Sequence, residues 1–137
     1  MTASNHDTFK DLSSGTPWSF TLAARSMPVL LGLQFLLAGL ALFGGIGWGA
    51  HATFGDLVSL PVVALAGYAM LVPRLRGFAW WASAIVVLYF GQIALAANGT
   101  AALAFHPLNA ALLLSASLIL LLKIERRNRR CREVKSK

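Results

Sequence analysis

The sequence predicts an all-α integral membrane protein: an up-down-up-down bundle of four helices, with the N-terminus and the C-terminus both cytoplasmic. Three observations predict it. The 137 residues are 57% apolar and only 12% charged, with a mean hydropathy of +0.66. A soluble domain carries about 25% charged residues and needs them to cover its surface. The apolar residues gather in four runs, each about 20 residues long, enough to cross a hydrocarbon core of about 30 Å at about 1.5 Å per residue. The Lys and Arg residues all fall in segments that such a bundle places on one side. A soluble enzyme, a disordered chain, a secreted disulfide scaffold and a free nucleic-acid binder are all disfavoured by this composition.

Residues 1–28 form a polar lead-in carrying Asp7, Lys10, Asp11 and Arg25. It has no apolar core, so it does not read as a secretory signal. Trp18 and Phe20 are expected at the lipid interface. The first run covers 29–48. Its Gly32, Ala38, Gly39, Gly44 and Gly45 are small residues of the kind that let helices approach closely. The Gly-rich stretch 44–49 reads as a flexible helix end and not as a phosphate loop, because no strand precedes it.

The second run covers 52–72 and adds the small residues Ala64 and Gly67. Pro61 lies in its middle. Proline lacks the N–H that a helix needs, so it should kink the helix and free the carbonyl four residues earlier. The third run covers 78–97 and the fourth 103–122. Backbone groups in lipid must pair within their own segment, which makes all four helices and not strands. The connections at 49–51, 73–77 and 98–102 are short, and short connections force antiparallel neighbours. Asn98-Gly99-Thr100 matches a glycosylation sequon and is read as a turn.

Orientation follows from charge. With the N-terminus inside, the inner segments hold Lys10 and Arg25, then Arg74 and Arg76, then eight cations between Lys123 and Lys137. The two outer connections hold none, so all twelve obey the positive-inside rule. The tail 123–137 is opposed only by Glu125 and Glu133. It is expected to be an unfolded electrostatic anchor on anionic lipid, at about 1 kcal/mol per basic residue. No aromatic residue interleaves its arginines, so no nucleic acid is expected as a partner. Cys131, the single cysteine, makes no disulfide and is expected to be an exposed thiol.

Polar groups at membrane depth are costly and mark candidate sites. Here they are Gln34, His51, Asp56, Gln92, His106 and Asn109. His51 opens the second run and His106 the fourth, so both lie near the outer face. Gln34-Phe-Leu-Leu-Ala-Gly39 followed by His51 parallels Gln92-Ile-Ala-Leu-Ala-Ala97 followed by His106. The parallel suggests two hairpins related by a pseudo-twofold along the membrane normal. One turn after the histidines stand Gly55 and Ala110, which leave room for a flat ligand. Two neutral imidazoles facing across a bundle can take both axial positions of a heme iron. Thr53, Asp56, Ser59 and Asn109 could accept from their other ring nitrogens. The plainer alternatives are that His106 only flanks the helix start at Pro107, and that Asp56 pairs with His51 or reaches headgroup water. A bare metal ion or another ligand is a further alternative.

Gln-x4-Gly, His, Gln-x4-small, His-Pro-Leu-Asn-Ala and an Arg-rich tail, over about Gln34–Arg130, together resemble a family of small bacterial four-helix membrane proteins. The most distinctive part is His106–Ala110. The layout also resembles one half of heme A synthase, whose four-helix halves each carry a histidine pair near the outer face. That resemblance implies heme b held by His51 and His106, with Asp56, Asn109, Gln34 and Gln92 around it, and a place in the bacterial inner membrane. The acidic outer-loop residue of that enzyme has no counterpart in Gly44–Ala50, so no catalytic residue is expected and the chain is not expected to be an enzyme on its own.

Three functions compete. One is a b-type heme protein in electron transfer or heme handling. Another is a non-catalytic subunit or scaffold, packed against partner helices or a second copy of itself. The third is a small exporter. Small multidrug exporters carry a membrane-embedded carboxylate in the first helix; the first run has none, and Asp56 is the only acid in any run.

Overall fold

The structure, a computed structural model, describes residues 15–136. Lys10, Lys137 and the first half of the lead-in lie outside the described residues. Six α-helices follow one another: α1 Trp18–Phe43, α2 Gly49–Leu57, α3 Ser59–Leu71, α4 Ala79–Ala97, α5 Gly99–Leu103 and α6 His106–Lys135, with a 3-10 helix Pro73–Phe78 between α3 and α4. Four helical stretches are long and apolar enough to cross a membrane: α1, α2 with α3, the 3-10 helix with α4, and α5 with α6. Each spanning stretch packs against the next, and α1 packs against α6 to close the ring. The protein is a small membrane protein of four-helix architecture, with no strand among the described residues.

The helix ends differ from those expected in informative ways. α1 begins at Trp18, not near Val29. Residues 18–26 are therefore the first turns of the spanning helix, and the carbonyl of Pro17 accepts from the Thr21 N–H at 3.0 Å. The polar Ser19, Thr21, Arg25 and Ser26 hide an apolar stripe, Phe20, Ala24, Met27 and Leu31, at spacings of four and three. All four are buried. Phe20 is enclosed, with ring contacts to Tyr68 at 5.9 Å and Phe78 at 5.6 Å; it is a core residue and not an interface anchor. α1 ends at Phe43, so the first turn-around is 44–48 and not 49–51. Gly45 there has φ +70, a backbone that glycine adopts without strain.

The interruption expected from Pro61 falls where the missing N–H places it. The helix breaks at Val58, whose N–H bonds the Gly55 carbonyl at 3.2 Å in a tighter turn. α2 ends at Leu57, four residues before Pro61.

The tail departs from expectation most. α6 has 30 residues, about 45 Å at about 1.5 Å per residue, so it outruns the hydrocarbon core by several turns. The basic segment is not an unfolded anchor but the last turns of this helix. Its buried face runs Leu113, Ala116, Leu120, Ile124, Arg127 and Cys131, a stripe at spacings of three and four that continues straight through the charges. Arg127 is wholly enclosed, and Cys131 is buried and not exposed. Asn128 Oδ1 accepts from the Thr16 N–H at 3.1 Å and from the Thr16 hydroxyl at 2.7 Å. Arg25 donates to Glu125 at 2.8 Å.

Burial is uneven along the bundle. In α1 no residue beyond Leu31 is buried; in α4 none beyond Tyr89; in α6 none before Leu113; in α2 and α5 none at all. The core is closed at the end that carries the arginines and opens toward the end that carries the histidines. Gly32, Gly39 and Gly67 also differ from expectation: a Cβ added at any of them would meet nothing within 4 Å. These three glycines therefore do not bring helices of this chain together.

Candidate functional site

Where the core opens, a cavity of about 470 Å³ lies between the two hairpins. Gln34, His51, Asp56, Gln92 and His106 all line it, together with the small side chains Ala38, Ala52, Ala96 and Ala110. Its size falls in the range of small-molecule sites, about 300–1,000 Å³.

Two repeated hydrogen bonds build the site. The Gln34 side chain on α1 donates from Nε2 to the backbone carbonyl of His51 on α2, at 3.2 Å. The Gln92 side chain on α4 donates from Nε2 to the backbone carbonyl of His106 on α6, at 3.1 Å. The parallel seen in the sequence is thus a parallel of contacts. Each bond ties a helix that arrives at the open end to the helix that leaves it. Each histidine is in the first turn of its helix, so the bracket also fixes where its imidazole stands. The two rings lie side by side in the cavity, with centroids 6.2 Å apart and planes tilted at 59°.

The imidazole of His51 is held in one tautomer. A carbonyl oxygen only accepts, so Nδ1–H donates to the Gln34 carbonyl at 3.2 Å, and Nε2 keeps its lone pair. Trp48 stands edge to face against this ring at 5.6 Å. His106 differs: its Nδ1 is buried without a hydrogen-bond partner.

The two halves are not equal. Asn109, one turn into α6, donates to the Gln92 Oε1 at 2.5 Å and to the Leu88 carbonyl at 2.8 Å. Its amide lies against Gly91, where an added Cβ would sit 3.5 Å from Asn109 Oδ1. The equivalent place three residues after His51 is Phe54, and Gln34 Oε1 is buried with no partner. Asn109 therefore supports Gln92 and not an imidazole. Gly55 likewise has a different task from the one expected. A Cβ there would stand 3.0 Å from Gln34 Nε2, so its smallness admits the glutamine bracket.

Asp56 lines the cavity, but its carboxylate makes no hydrogen bond or ion pair with a described residue. The Ser59 hydroxyl donates to the Asp56 carbonyl at 2.6 Å, and Thr53 is exposed. Tyr89 is the site residue that the sequence reading missed. Its hydroxyl donates to the Gly55 carbonyl at 3.3 Å, from the same face of α4 as Gln92. Three residues separate the two, and that spacing in an otherwise apolar run was the available signal.

Among the described residues, no three or more His, Cys, Asp or Glu side chains gather to hold a metal ion. Two imidazoles alone suit a metal that arrives with its own in-plane ligands.

Residues 34–101 match the model of DUF6220, a family of unknown function. The chain is similar to that family over Gln34, His51 and Gln92; His106 lies beyond the matched residues. Neither curated proteins nor solved structures give a match, so no known protein supports the resemblance to one half of heme A synthase.

Proposed function

We propose that the open end of the bundle binds one b-type heme, with His51 and His106 as its axial ligands. The separation of the two imidazoles carries the reading. Metal–imidazole bonds are about 2.0 Å and a ring centroid lies about 1 Å behind its ligating nitrogen, so two imidazoles across one metal stand about 6 Å apart. The observed separation is 6.2 Å. The donation from His51 Nδ1 to the Gln34 carbonyl leaves Nε2 as the ligating atom and raises its basicity. Gln34 and Gln92 position the two histidine backbones, and the alanines of the wall leave space for a flat group. A heme with two imidazole ligands supplies one-electron transfer and leaves no coordination position open to oxygen. The expected setting is the bacterial inner membrane, with the histidine end outward.

The test is the absorption spectrum of protein purified from cells supplied with heme. A low-spin spectrum is expected, lost or strongly altered in His51→Ala and in His106→Ala. A colourless protein would overturn the reading.

One observation favours a second reading, a non-catalytic subunit or scaffold. Gly32 and Gly39 on α1 are seven residues apart, and a Cβ added at either would meet nothing within 4 Å among the described residues, which suits close approach by a partner helix or a second copy. Crosslinking in native membranes from a cysteine placed at Leu36 distinguishes it: an adduct supports a partner there, and none counts against it.

A further inference from the structure

A second groove, of about 500 Å³, lies between α3 and α4. It shares Asp56, Tyr89 and Ile93 with the histidine cavity, and its other lining residues are its own. Its walls are apolar: Val62, Val63 and Ala66 on one helix, Val86 and Phe90 on the other, with Gly67 at the far end. From Asp56 to Gly67 is eleven residues, about 16 Å at about 1.5 Å per residue. That is about the depth of one leaflet, half of a core of about 30 Å.

Asp56 heads this groove and is the only acid in the membrane-spanning helices short of the tail end of α6. It stands seven residues, about 10 Å, below the start of α2. A carboxylate at that depth is costly unless a cation meets it. The described residues supply none: every described Lys and Arg lies at the opposite end of the bundle, in Arg25, Arg74, Arg76 and the tail. A cation from outside the described residues would supply the complementary charge. Tyr89 and Phe90 stand edge to face at 5.9 Å on the facing wall, and aromatic faces attract ammonium groups.

From this juxtaposition we infer that the α3–α4 groove binds a lipophilic ammonium cation, its charge on Asp56 and its alkyl chain along the apolar walls toward Gly67. The inference is independent of heme. A membrane-soluble cation suits the site better than a fixed lipid headgroup, because the carboxylate stands about 10 Å along the spanning stretch and the residues lining the groove beyond it are apolar. Alkyl chain and ammonium act together: the chain brings the cation to this depth, and Asp56 retains it there.

The test uses the full chain in lipid nanodiscs with radiolabelled dodecyltrimethylammonium, whose charge does not titrate. Saturable binding of one probe per chain is expected above protein-free nanodiscs, with dodecanol a poor competitor. Asp56→Asn should weaken it about tenfold or more. Gly67→Leu should do the same by filling the groove; a Cβ added there meets nothing within 4 Å. Circular dichroism confirms that each variant is folded. Binding no greater than to empty nanodiscs, equal competition by dodecanol, or affinity unchanged by both substitutions would overturn the inference.

Discussion

Phe20→Ala tests whether the segment before residue 29 is part of the bundle. Phe20 is wholly enclosed and touches the rings of Tyr68 and Phe78. The substitution removes about 100 Å³ of side chain, and at about 24 cal/mol per Å³ of unrelaxed cavity this costs about 2.4 kcal/mol. Loss of the two ring contacts, one edge to face and one tilted, adds about 0.5–1.5 kcal/mol each. The transfer contribution is small, since the unfolded reference in a micelle is also apolar. The total expected is about 3.5–5 kcal/mol, measured by SDS titration in mixed micelles followed by circular dichroism. Phe43→Ala, at a residue 90% exposed, should change stability by less than about 0.5 kcal/mol. Equal effects of the two substitutions would refute the assignment of residues 18–26 to the packed helix.

Other expectations follow from the same contacts. Gln92→Ala should cost more than Gln34→Ala in the same titration, because it removes two hydrogen bonds, each worth about 0.6 kcal/mol in a membrane, and strands Asn109; the reverse order would contradict the asymmetry described. Cys131 is buried, so a maleimide should label it only after SDS unfolding, and rapid labelling of folded protein would contradict the packed tail. Topology reporters at the C-terminus and within Pro73–Phe78 should read cytoplasmic and one at Asn98 external, as the distribution of Lys and Arg requires; a cytoplasmic signal at Asn98 would contradict the orientation.

The membrane class and the number of spans were legible because length and hydropathy are properties of whole segments. The Gln–His parallel was legible too, and it proved to be a pair of equivalent hydrogen bonds. What was lost was lost to local composition. Residues 18–26 and the tail look polar residue by residue, yet Phe20, Ala24, Met27 and Leu31, and then Leu120, Ile124, Arg127 and Cys131, keep a helical stripe through them. A charge count sees the arginines, whereas the spacing of three and four sees the face. The roles of Gly55 and Asn109 could not be read from one strand of sequence, since each is set by a side chain on another helix.

A hemin titration of the purified protein in detergent, followed by absorption and by electron paramagnetic resonance, tests the central claim most directly. The account expects saturation at one heme per chain, a low-spin ferric signal with two imidazole ligands, and loss of that signal in His51→Ala and in His106→Ala. A spectrum identical to hemin in empty micelles, or one that survives both substitutions, would contradict it.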